Sequence, residues 1–260
     1  MFLSIKNKHE RDDHIQFDEP THVYTIDGDS KYMSVTTWIH SFFNKFDADN
    51  VLEKMRKGKN WNENNKYFHM TNKEIKDEWS RNGKEASELG TEMHLNLEYY
   101  YNGVPFKKGF TDTKEYQLFQ LYLKDHSEYK AYRTEMTVYS KKYKLAGSID
   151  MIYIDPDDSS KFIIADWKRS KEIKFENKWQ KGKKDLPLND IDDCNYWHYL
   201  LQLNVYRLHL EKYYGMEISR MFLVILHPNQ NTYQKINIPN ISKPIMKMLE
   251  YRKKELSCNN

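Results

Sequence analysis

Apolar positions along the chain change their period several times, and each change marks an element. Three stretches rich in β-branched and aromatic residues, 132–139, 143–155 and 161–168, read as strands. The turn chemistry of Asp155-Pro156-Asp157-Asp158-Ser159-Ser160 separates the last two, which predicts a hairpin. Met221 to Leu226 is continuously apolar, as in a strand covered on both faces, and 232–238 alternates. Tyr116, Phe119, Tyr122 and Leu123 recur at helical spacing and predict a helix from Thr113 to about Ser127. Further helices are expected over 84–101, stopped by Asn102-Gly103 and Pro105, over 192–214, stopped by Gly215, and over 242–255.

Nearer the N-terminus, His22 to Ile26, the turn Asp27-Gly28-Asp29-Ser30 and Lys31 to Val35 predict a second hairpin. A short helix follows over 36–43. Asp47 suits the N-cap of another reaching Lys57, and Thr71-Asn72-Lys73-Glu74 is a capping box opening a helix through Trp79. From residue 84 the order is helices, three strands, helix, strand. That predicts an α/β fold with a central mixed sheet flanked by helices and an N-terminal helical elaboration. With no repeat and no linker, one domain is expected: elaboration over 1–83, core over 84–240, closing helix over 241–260.

Chemistry concentrates in the middle strands. Asp150 interrupts an apolar strand, and the hairpin would bring it beside Asp166. Asp166 and Lys168 are two apart and share a face if extended. Two carboxylates and an ammonium suit a hard divalent cation and a phosphate. An Asp-x-Lys pair alone equally suits an exposed ion pair, but an acid inside an apolar strand calls for a partner or a metal.

The bulk numbers remove some classes. Of 260 residues, 39% are hydrophobic and 15% aromatic, too many for a disordered chain. Net charge is only +3, yet Lys168-Arg169, Lys171, Lys174, Lys178, Lys181, Lys183 and Lys184 follow the acidic pair. That run suits either a polyanion track or a solvated loop. Two cysteines, Cys194 and Cys258, cannot form a disulfide framework or a four-cysteine cluster, which points to a reducing compartment. No segment has the apolar length of a signal peptide or membrane span. A soluble intracellular protein, in cytoplasm, nucleus or virus factory, and no membrane partner are therefore expected.

On these residues the chain resembles the PD-(D/E)XK nuclease superfamily, and within it the RecB-like exonuclease group that includes the mitochondrial genome maintenance exonucleases. Four strings carry the likeness, in order: Gly90-Thr91-Glu92-Met93-His94, Gly147-Ser148-Ile149-Asp150, Asp166-Trp167-Lys168 and Gln202-Leu203-Asn204-Val205-Tyr206. They span about residues 84–210. The resemblance implies a restriction-endonuclease-like αβββαβ core and Mg²⁺ or Mn²⁺ as cofactor. It implies metal ligation by His94, Asp150, Asp166 and the Trp167 backbone, with Glu135 as a further acid. Asp150, Asp166, Lys168, Gln202 and Tyr206 would act in catalysis, the last two ordering the lysine or touching the nucleic-acid backbone.

Tyr32 to Thr37 also resembles the segment leading into such nucleases, so Ser34 and Thr36, with Arg169 and Lys171, are candidate nucleic-acid contacts. The likeness departs at the cysteines, which places the chain with members lacking an iron–sulfur cluster. No Gly-x-x-x-x-Gly-Lys-[Ser/Thr] string is present, so unwinding would need a partner, such as a helicase, or a polymerase at a fork. The expected activity is hydrolysis of DNA phosphodiesters from ends, single strands included. A structure-selective endonuclease on the same core and an inactive nucleic-acid-binding module remain the alternatives. Trp61, Tyr67, Phe68, Trp79 and Tyr99 to Tyr101 suit either an arch over a threaded strand or ordinary core.

Overall fold

A computed structural model of the chain describes residues 1–258; residues 259 and 260, expected in the closing segment, lie outside the described residues. The chain opens with α1 (Phe2–Lys6), β1 (Ile15–Asp18), β2 (Val23–Ile26) and β3 (Met33–Ser34). Helices α2 (Val35–Ser41), α3 (Ala48–Lys57), α4 (Asn72–Tyr101) and α5 (Lys114–Asp125) follow. Then come β4 (Lys130–Ser140), β5 (Leu145–Ile154), β6 (Phe162–Lys168) and α6 (Asn195–Tyr213). β7 (Ile218–Ile225), β8 (Gln234–Asn237) and α7 (Lys243–Cys258) close it.

A mixed sheet lies at the centre. β4 pairs antiparallel along one edge of β5, and two strands divide the other edge. β3 runs parallel to the start of β5 at Leu145 and Ala146, and β6 runs antiparallel to its end from Met151 to Ile154. Beyond β6 lie β7, parallel to it, and β8, antiparallel to β7. Helices cover both faces, as the α/β pattern requires. Met93, Leu97, Leu118, Phe119 and Tyr122 of α4 and α5 bury Met151, Tyr153, Ile163, Ala165 and Trp167. Trp38, Leu201, Val205 and Met248 of α2, α6 and α7 bury Ile152, Ile164, Leu223 and Ile225. β6 therefore alternates: odd positions face α4 and α5, and Ile164 faces α6.

Capping places several helix starts where the sequence predicts them. Thr71 and Glu74 form the reciprocal capping box of α4, and the Asp47 carboxylate accepts from the Asp49 and Asn50 amides at α3. α6 stops before Gly215, whose φ of 64° is costly for other residues.

Two expectations fail. The 22–35 hairpin does not form: the turn at Asp27-Gly28 is there, but β2 pairs with the unpredicted β1, and β3 joins the central sheet. β1 has only Ile15 and Phe17 on its inner face, too short a signal to read. The helices expected before and after residue 83 are one helix of 30 residues, α4. Gly83 costs about 1 kcal/mol in a helix interior but, without a proline, does not end one. The expected boundary between elaboration and core at 83/84, within the one domain, lies inside this helix. The aromatics expected near an arch have partners of their own: Trp79 packs on Phe46 and Tyr67, and Trp61 on Phe68. Tyr101 joins the core beside Trp167.

Candidate functional site

The site lies where β5 and β6 part. Their ladder ends at the Met151–Ala165 pair, so Asp150 on one strand and Asp166 on the other occupy the opening fork. There the Trp167 amide donates to Asp150 Oδ2 at 2.9 Å, a side chain taking the place of the missing ladder acceptor. The two acids are thus held by one short piece of backbone.

Three candidate ligands converge. His94 of α4, Glu135 of β4 and Asp150 each offer an atom, all within 4.8 Å of one another. His94 Nδ1 is 3.5 Å from Asp150 Oδ2 and 4.0 Å from Glu135 Oε1. Glu135 stands between the pairs Thr134–Met151 and Met136–Ile149, hence opposite Asp150. Its φ of +44° is a left-handed value that costs a non-glycine residue about 1–3 kcal/mol and gathers at functional sites. Ser148 Oγ donates to Glu135 Oε2 at 2.7 Å and fixes the carboxylate.

Burial and like charge distort the acids. Burial, then Asp150, pushes Glu135 up to about 8. Burial raises Asp150, with Lys168 and the Trp167 amide opposing. Burial and Asp150 push Asp166 up to about 6 despite Lys168. His94 falls to about 4 through burial and the Lys168 charge, so its imidazole is neutral and can ligate. Carboxylates crowded together with a neutral imidazole are a donor set that a divalent cation fits.

Asp166 is outside that trio. It is 2% exposed, and Lys168 Nζ lies 2.5 Å from its Oδ2. Burial alone would lower Lys168, but Asp166 and Asp150 outweigh it and hold the ammonium charged. Gln202 Nε2 makes long contacts of 3.5 Å to Asp166 Oδ1 and to the Tyr206 hydroxyl. Tyr206 lies over Gly147, where a Cβ would stand 2.7 Å from its ring and hydroxyl. The glycine of the Gly147-Ser148-Ile149-Asp150 string is thus a close-packing requirement.

Other predicted residues are placed differently. Arg169 Nε donates to Glu115 Oε1 at 2.7 Å, so its charge is compensated within the protein. Ser34 is buried and caps α2, accepting from the Thr37 amide at 3.0 Å, so its hydroxyl is committed. Thr36 lines a 350 Å³ cleft with Lys168, Tyr199 and Gln202. Lys171 is exposed. The Trp167 side chain is buried among Tyr101, Phe119 and Tyr122. Tyr199, over whose ring Lys168 Nζ lies at 4.9 Å, is missing from the sequence reading. Its spacing from Gln202 and Tyr206 on one helix face is the signal that could have found it. Ser148 and Glu115 gave no such signal.

No protein-family profile and no curated protein sequence matches the chain. Among solved structures it is similar to the crystal structure of SSO0001, at 16% identity, with 88% of this chain and 77% of that one covered and a TM-score of 0.35. It is also similar to a Eubacterium rectale protein named "Putative exonuclease", at 12% identity, with 88% and 79% covered and a TM-score of 0.44. At these scores neither likeness says anything about chemistry. Among the described residues, no helix is long and apolar enough to cross a membrane.

Proposed function

We propose that the chain is a metal-dependent nuclease that hydrolyses phosphodiester bonds in DNA, working from ends and accepting single strands. One observation carries the reading: His94, Glu135 and Asp150 converge within 4.8 Å at a strand fork that also holds the buried Asp166 paired with a partly buried Lys168. His94, Glu135 and Asp150, with Asp166 beside them, would hold Mg²⁺ or Mn²⁺. Such an ion supplies a hydroxide near neutral pH and neutralises phosphoryl charge.

The chain's own groups do the rest. Lys168 keeps its charge although partly buried and offers it to a phosphoryl oxygen or the leaving oxygen. Asp166, pushed up to about 6, is an acceptor for a proton from an attacking water. Gln202 and Tyr206 keep Asp166 aimed at the fork, and the Trp167 amide does so for Asp150. Ser148 orients Glu135.

The test is digestion of end-labelled single- and double-stranded oligonucleotides with Mg²⁺, Mn²⁺ or EDTA, beside circular single strands. Cutting of open strands that needs the metal, spares circles and disappears in Asp166→Asn and Lys168→Ala supports the proposal. Circles cut as fast as open strands would move the activity to the endonuclease class. No cutting with either ion, alongside retained DNA binding, would leave a binding module.

A further inference from the structure

Five of the six tryptophans pack against an aromatic neighbour, as Trp38 does on Phe42 and Trp197 on Tyr196. Trp179 has no aromatic partner among the described residues and is 92% exposed. An indole left in water forgoes the gain of burying its apolar surface, and here the backbone holds it out rather than letting it fold away. The Asn177 side chain accepts from the Trp179 and Gln180 amides, both at 3.1 Å. Its Nδ2 donates to the Asp193 carbonyl at 2.7 Å, and the Asp192 carboxylate accepts from the Asn177 amide at 3.0 Å. The Asp193 amide returns a bond to the Gln180 carbonyl at 2.9 Å. The ring stands on a turn stapled to the start of α6.

That turn forms one wall of a 670 Å³ cleft lined by Lys174, Lys178, Trp179 and His198. The cleft containing Lys168 and Gln202 shares Asn195 and His198 with it, so the two lie side by side. Asn195 is the rigid junction: its Oδ1 accepts from the Lys174 amide and its Nδ2 donates to the Glu172 carbonyl, both at 2.8 Å. Acids answer part of the positive charge, since Glu176 lies 3.6 Å from Lys178 and Asp193 3.0 Å from His198. Among the described residues no carboxylate lies within 4.0 Å of Lys174, which leaves its ammonium for a ligand. A free planar ring and a free cation, in a cleft that adjoins the one holding Lys168, are the complement of unpaired bases on a phosphate backbone.

We propose that this second cleft is a subsite for single-stranded nucleic acid running to or from the fork, with a base stacked on Trp179 and a phosphate facing Lys174. It rests on the nuclease reading and adds where the strand lies and that it is unpaired there. The test titrates fluorescein-labelled oligothymidylates of about 4 and about 16 nucleotides, the span of single-strand site sizes, in EDTA so that nothing is cut. The proteins are the full chain, Trp179→Ala, Trp179→Phe and Lys174→Gln. Trp179→Ala is expected to weaken the longer oligomer by about five- to 150-fold, the worth of one stacked base, and to abolish most of the tryptophan quenching that accompanies binding. Trp179→Phe should recover most of the affinity, and Lys174→Gln should flatten the salt dependence. Hydrolysis of thymidine 5′-p-nitrophenyl phosphate with Mn²⁺, too small to reach Trp179, should be unchanged in all three. Equal affinity of Trp179→Ala and the full chain for the longer oligomer would overturn the subsite, as would an equal loss on a blunt two-strand duplex without unpaired bases. If the full chain neither binds the oligomers nor cuts the small ester, the nuclease reading falls with it. Cutting that persists with Trp179 irrelevant to binding would sink the subsite alone.

Discussion

Gly147→Ala puts a single methyl group where the site has no room. The added Cβ would stand 2.7 Å from Tyr206 Cε1 and from its hydroxyl, against 3.4 Å for an ordinary contact, so the ring must retreat by about 0.7 Å. Tyr206 is 3% exposed, so it has nowhere free to go. Overpacking of this kind costs about 1–3 kcal/mol, and alanine returns about 0.4–1 kcal/mol by restricting the unfolded chain. A net loss of about 1–2 kcal/mol is expected, a drop in Tm of about 2–8 °C for a chain of this size. The retreat also stretches the 3.5 Å contact between Tyr206 and Gln202, so cutting should slow. Urea unfolding of Gly147→Ala, Tyr206→Leu and the double variant closes a cycle. The double variant should be at least about 1 kcal/mol more stable than the two single losses predict. If Gly147→Ala is as stable as the parent and the coupling is below about 0.5 kcal/mol, the close-packing account is wrong.

His209 is fully buried with neither ring nitrogen bonded, and burial, then the Arg11 charge, drives it down to about 3. The unfolded chain therefore takes up this proton first, so stability is full above about pH 6.5 and drains as pH falls toward 3, by about 1.4 kcal/mol per pH unit. His209→Leu should remove about one proton's worth of that slope; urea midpoints between pH 4.5 and 7 that run parallel for both proteins would contradict it. Mn²⁺ at about 100 times its dissociation constant should add about 2.7 kcal/mol, or about 5–10 °C in Tm, and Asp150→Ala should lose that gain. An identical shift in Asp150→Ala would place the ion elsewhere. Thr71→Ala removes the capping bond and should cost about 1 kcal/mol locally, seen as faster amide exchange at the start of α4 and unchanged exchange in β5.

The central sheet was readable because its strands are long and apolar and its helices carry their own caps. Asp150 stood out for the same reason, a charge within an apolar run, and Lys168 followed by the two-residue period. What could not be read is what depends on pairing. β1 and β3 are too short to signal their partners, and β3 crosses to β5 rather than returning on β2. The register that sets Glu135 opposite Asp150, with its left-handed backbone, is likewise settled by two strands meeting. Arg169 shows the opposite failure: a basic residue in a promising run, neutralised by Glu115 from a helix far away in sequence.

The bond from the Trp167 amide to the Asp150 carboxylate makes one side chain answerable both to chemistry and to architecture. A descendant that gave up catalysis could discard the ammonium at 168 together with its buried partner at 166, yet would still need an acceptor at 150 to close the sheet where its strands part. Survival of an oxygen at 150 is therefore a poor witness to an active enzyme. The lysine is the better one.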